Sequence, residues 1–243
     1  MTVRNHFRYR VALTALFALS SAIALALPVV PVNLDTLSLG ARIVGPVGPT
    51  VDASFIDGDG ASLGDLQSSV SCPDGFAACT PPTNPPGTIY TYVHEVTPGV
   101  DSPNDPPFPQ PGTVLPINGA TGFALGFAAA GFNGVAGYSF GDAAGVLVGG
   151  SVISIEPETN GSLAWALPSA AGWDSGERIA FFWQTTQAPS GPGGQYLLTA
   201  TALSGSGAGP LPLPVPEPAT VVLMALGVAF LFWPTAVAAL RRR

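Results

Sequence analysis

Twelve prolines fall between residues 73 and 116, with Pro81-Pro82, Pro85-Pro86 and Pro106-Pro107 as adjacent pairs. Each locks its own φ, offers no backbone N–H and pushes the residue before it toward extended geometry, so this stretch cannot be helical. Strand, turn and loop are what remain open to it. One strand interrupts the prolines, Thr88–Val96, rich in β-branched and aromatic residues. The segment 98–112 reads as a long loop on the surface of a domain, and loops of this kind are candidate binding elements.

The rest of the central chain points the same way. Two short strands are expected at Leu37–Val44 and Val51–Ile56, with the turn Gly45-Pro46-Val47-Gly48-Pro49 between them. After Gly112, apolar segments alternate with glycine-rich turns: Thr121–Ala129, Val135–Phe140, Val146–Ile155, Ser162–Leu167, Arg178–Thr186 and Gln195–Leu203. Phe123, Leu125 and Phe127 alternate with small residues, as do Ile179, Phe181 and Trp183. Period-two alternation at roughly ten-residue spacing predicts an all-β, sandwich-like domain, of the jelly-roll kind or related. No long amphipathic helix is visible between Pro28 and Pro214. The glycines, serines and prolines of 205–215 read as a spacer, which bounds the β-rich domain at 27–204.

Charge and cysteine usage narrow the setting. Between Pro28 and Val215 fourteen acidic residues face two arginines, Arg42 and Arg178, a formal charge of −12, and the chain has no lysine. Nothing there can neutralise phosphates, so nucleic acid is excluded as a partner. Cations and neutral polymers such as polysaccharides are electrostatically permitted. The only two cysteines, Cys72 and Cys79, predict a disulfide around a small loop, as expected of an exported protein.

The two ends are topogenic. Arg4, Arg8 and Arg10 precede an apolar run from Val11 to Leu27, and Ala24-Leu25-Ala26 supplies a small-x-small site. This is the layout of a secretory signal peptide, residues 1–26, with cleavage after Ala26 and Ala22 or Ala24 as alternatives. At the other end, residues 219–240 carry no charge and stop at Arg241, Arg242 and Arg243. As a helix they would be roughly 33 Å long at ~1.5 Å per residue, enough for a hydrocarbon core of ~30 Å. The arginines stay on the cytoplasmic side, which places everything before Pro216 outside.

Pro216-Glu217-Pro218, the apolar span and the terminal arginine cluster, in that order, resemble the PEP-CTERM sorting signal of Gram-negative bacteria. The resemblance covers about residues 214–243 and no more. It implies recognition by an exosortase, a membrane protease or transpeptidase cutting near Pro-Glu-Pro. Pro216, Glu217 and Pro218 are then recognition residues, not catalytic ones. It also implies passage through the inner membrane, a transient anchor with the main domain in the periplasm, and a final place at the cell surface or outside the cell. Proteins with such tails accompany extracellular polysaccharide and biofilm.

Four features invite a chemical reading. Gly137-Tyr138-Ser139-Phe140-Gly141 is a literal G-x-S-x-G, but no histidine follows Ser139, and glycines flanking a strand account for it. Glu156 and Glu158, on one strand, would hold carboxylates ~7 Å apart, yet Pro157 and Asn160-Gly161 favour a turn. Asp57-Gly58-Asp59-Gly60 opens like a calcium loop, but Ala61 and Ser68 stand where an EF-hand needs oxygen ligands, so Asp57 and Asp59 are weak calcium candidates. Of three neighbouring tryptophans, Trp165 and Trp183 fit a core, and Trp173, in a turn-like setting, is the candidate glycan contact. The expectation is an exported, non-enzymatic envelope or matrix protein with no required cofactor. A carbohydrate-binding module, with or without calcium, is the alternative, and a secreted hydrolase the third reading.

Overall fold

The computed structural model describes residues 28–43, 51–81, 83–168 and 171–213. In chain order the elements are β1 (Val32–Asn33), β2 (Leu39–Arg42), β3 (Val51–Ile56), β4 (Ser62–Pro73), β5 (Tyr90–Pro98), β6 (Ala120–Leu125), β7 (Phe132–Tyr138), α1 (Phe140–Val146), β8 (Ser154–Pro157), β9 (Leu163–Ala166), β10 (Ile179–Thr185), β11 (Gly194–Ala200) and β12 (Leu203–Gly209). The protein is all-β in its described residues apart from α1 and two 3-10 turns.

The strands form one sheet in the order β1-β7-β10-β5-β4-β3-β12-β11-β6-β9-β8, with β2 alongside β4. The sheet curls so that strands distant in this order face each other. Phe123 of β6 stacks on Phe181 of β10 with ring centroids 4.9 Å apart, and the Trp165 indole of β9 donates to the Gly137 carbonyl of β7 at 3.0 Å. The N-terminal segment stitches the two ends of the order together. Val29 N–H donates to Ile155 of β8 at 3.0 Å, and β1 then pairs in parallel with β7, Val32 opposite Gly137 and Asn33 opposite Tyr138. Exposed strand edges invite unwanted pairing; here the first described residues cover both.

Enclosed by the curl is an aromatic core. Trp165, Trp173, Trp183, Tyr92, Phe123 and Phe181 are each no more than 1% exposed. The alternation read around Phe123 and Phe181 is therefore the inward face of β6 and β10.

Several local expectations are corrected. Val51–Ile56 is a strand as expected, but it pairs with β4; β2 also pairs with β4, near its far end. That long strand is not expected from the sequence, because Ser62-Leu63-Gly64-Asp65-Leu66-Gln67-Ser68-Ser69-Val70-Ser71 shows no clean alternation. Its serines are buried nonetheless, Ser62, Ser68 and Ser71 at 2% exposure or less, with Ser68 Oγ 3.0 Å from His94 Nδ1 in the core. The strand expected at Val146–Ile155 begins only at Ser154. Before it comes α1, seven residues whose start is capped by Ser139.

The spacer is also corrected, over residues 205–213. Gly205, Gly207 and Gly209 face inward from β12, where a Cβ would come within 2.9 Å of Leu63, 3.1 Å of Leu66 and 2.6 Å of the Tyr196 ring. These glycines are sites of close packing, not of flexibility. Beyond β12 the chain stays bound: Leu211 N–H donates to Gly191 and Leu213 N–H to Ala188, both at 2.8 Å.

Candidate functional site

A groove of about 320 Å³ opens on the outer side of the sheet. Its floor is Ala53 and Ser54 of β3 with Ser206 and Ala208 of β12. Phe108 and Pro109 form one wall, and Pro192 to Gln195, leading into β11, the other. The floor is shallow in side-chain volume because β12 alternates inward glycine with outward serine or alanine.

The proline-rich segment 98–112 is the wall, and hydrogen bonds pin it to the sheet. Ser54 Oγ donates to Asp101 Oδ1 at 2.5 Å. The Asn104 amide donates to Ser54 Oγ at 2.8 Å and to the Pro109 carbonyl at 2.7 Å, while Gln110 Oε1 accepts from Asn104 N–H at 2.9 Å and Gln110 Nε2 donates to Asp101 Oδ2. Asp105 N–H donates to the Asp52 carbonyl at 2.9 Å, and its carboxylate accepts from Asp52 N–H at 3.1 Å. Beside this network Asp65 is half-buried; burial pushes its carboxyl above the usual range, against the pull of hydrogen bonds from Ser102. The loop is a candidate binding element in the sequence itself. The floor is not, because Ser206 and Ala208 lie in a stretch, 205–215, whose composition reads as spacer.

The G-x-S-x-G stretch has a structural role. It does sit between a strand and a helix, β7 and α1, contrary to the strand setting expected for it. Ser139 Oγ accepts from Asp142 N–H at 3.0 Å and is only 5% exposed. The next two helix-start donors are satisfied by the N-terminal segment: Phe140 N–H by Asn33 Oδ1 at 3.0 Å and Gly141 N–H by Asp35 Oδ2 at 2.8 Å. Three orphan amides of the first turn thus find side-chain acceptors. Gly137 is required because a Cβ there would overlap the Val32 carbonyl oxygen of β1. The motif is the seat of the N-terminal closure.

His94 lies elsewhere in the core. Its Nδ1 is 3.0 Å from Ser68 Oγ, its ring packs 4.2 Å from that of Tyr196, and it is fully buried. Loss of hydration pushes its pKa down to about 3, so the imidazole is neutral. It pairs with Ser68, not with Ser139.

Glu156 and Glu158 are both exposed, the first on β8 and the second in the following turn, where its N–H donates to Ser162 at 2.9 Å. Asp57 Oδ1 accepts from Asp59 and Ala61 N–H, each at 2.9 Å, and so closes the β3–β4 turn itself. Among the described residues no group of three or more His, Cys, Asp or Glu side chains is arranged to hold a metal ion. Trp173 corrects the glycan-contact expectation: it is 0% exposed, and its indole donates to the Glu177 carbonyl at 2.8 Å. Its turn-like surroundings cover the ring without presenting it. Trp165 and Trp183 are core residues, as read.

The Cys72–Cys79 disulfide is present and buried. Asn84 Nδ2 approaches Cys72 Sγ at 3.3 Å and donates to Tyr90 Oη at 3.2 Å, tying the closed loop to β5. The signal segment 1–26, the motif Pro216, Glu217 and Pro218, the span 219–240 and Arg241, Arg242 and Arg243 lie outside the described residues. Comparison of the chain with protein-family models, with curated proteins and with solved structures found no match.

Proposed function

We propose that this is an exported, non-enzymatic protein of the cell envelope or extracellular matrix, sorted by its C-terminal tail and processed near Pro-Glu-Pro by an exosortase. The observation that carries the reading is the order of features along the chain. A signal-like N-terminus leads into a curled, disulfide-bearing β body, and the Pro216-Glu217-Pro218 motif, the uncharged span and the terminal arginines follow it in the sequence. The disulfide suits an oxidising compartment. Of the groups that could suggest hydrolysis, Ser139 caps a helix and His94 is held in the core. The finer description of the body, a sandwich related to the jelly roll, belongs to this proposal; the stacking of β6 on β10 supports it.

Mass spectrometry of the protein recovered from membranes and from culture medium tests the sorting. The expected mature form lacks residues 219–243. Recovery of the medium form with Arg241 to Arg243 intact would sink the proposal.

A second reading, carbohydrate binding, is favoured by the groove. It replaces Trp173 as the place where a glycan would be held, and it needs no calcium.

A further inference from the structure

We propose that the groove between the proline-rich segment and the β11 approach holds a stretch of neutral polysaccharide. This deepens the carbohydrate-binding reading and rests on it. Charge selects the class of ligand. No arginine or lysine lines the groove, so a phosphate, sulfate or uronate would lose its hydration and gain no cation. No carboxylate lines the groove, and those of the adjoining network are engaged: Asp101 accepts from Ser54 and Gln110, Asp105 from Asp52 N–H and Asp52 from Gln67.

Shape and lining select further. Phe108 is half-buried and lines the groove with Pro109 beside it and Pro192 on the other wall. Together they offer flat apolar surface of the kind that the C–H face of a pyranose covers. Around it stand neutral polar groups. The Gln195 amide and the Ser206 hydroxyl make no side-chain hydrogen bond among the described residues, and both can pair with sugar hydroxyls as donor and acceptor. Apolar lining with a few polar groups that fix orientation is the usual composition of a small-ligand site, and about 320 Å³ is within the size range of one. The Pro109, Gly193 and Gln195 rims are exposed, which suits a polymer lying across the groove. The wall is ordered before any ligand arrives, because Asp101, Asn104 and Asp105 hold it to β3 and Gln110 braces it from within; little ordering cost is left for binding.

The test uses the full-length protein in a sugar-free polyoxyethylene detergent, run in native gels containing dextran, laminarin, galactomannan or alginate. Retardation by at least one neutral polymer and none by alginate is expected. Phe108→Ala should weaken retardation at least tenfold, and Ser206→Trp, which fills the groove from the outer face of β12, should abolish it. Val152→Trp, on a separate exposed surface (67% exposed), should leave it unchanged. Phe108→Ala lies in a loop and reports even where Ser206→Trp fails to fold. Neutral-polymer retardation that neither variant weakens overturns the site and leaves the carbohydrate reading standing. No retardation by any polymer overturns both. Equal retardation by alginate overturns the neutral class.

Discussion

His94 makes a quantitative prediction about acid stability. It is the sole histidine after residue 6, and burial takes it from an ordinary pKa of 6.5 to about 3. The native pKa is below the unfolded one, so the associated stability is complete above pH 6.5 and is lost as pH falls toward 3. At pH 4 the unfolded chain has bound the proton and the native state has not. The gap from 6.5 down to 4 is worth about 3 kcal/mol at ~1.36 kcal/mol per pH unit. Asp65 works in the opposite sense, since its raised pKa favours the native state on acidification. Comparison with His94→Gln, which does not titrate but can still meet Ser68, cancels that contribution. Urea unfolding followed by the fluorescence of the buried tryptophans at pH 7.5, 5.5 and 4 measures the difference. Wild type should lose about 3 kcal/mol more than His94→Gln between pH 7.5 and 4. Parallel curves for the two proteins would refute the neutral, buried assignment.

Other outcomes are expected from the same methods. Gly209→Ala should cost about 1–3 kcal/mol, because its Cβ would press on the Tyr196 ring; in a spacer the same change would be near neutral. Opening the disulfide with Cys72→Ser and Cys79→Ser should cost about 2.5 kcal/mol from the loop it closes, read as a fall in the urea midpoint. Ser139→Ala should cost about 1 kcal/mol, the value of a lost helix cap; a change in enzymatic activity with stability untouched would revive the catalytic reading of that serine.

Where the sequence carried large residues at strand spacing, its reading and the structure agree. Phe123, Phe181 and Trp183 alternate and point inward, Thr88–Val96 coincides with most of β5, and Cys72 and Cys79 are bonded. Where the residues are small, local pattern was mute. Serine in β4 and glycine in β12 resemble turn and linker because their individual propensities for strand are low. They are strands because neighbours on either side pair with them, and in β12 because only glycine admits Leu66 and Tyr196 so closely. Trp173 shows the converse error: glycine, aspartate and serine around it signal a turn, and no local signal says that the turn folds over its own indole.

The sequence by itself determined the strand-rich body, its acidity and the disulfide pair, since composition and period act through near neighbours. Only the tertiary structure decided that residues 29–33 close the sheet, that Gly137, Ser139 and Gly141 seat that closure, and that the proline-rich segment walls a groove. Each of those joins residues more than forty positions apart, and such pairing depends on how the whole sheet curls.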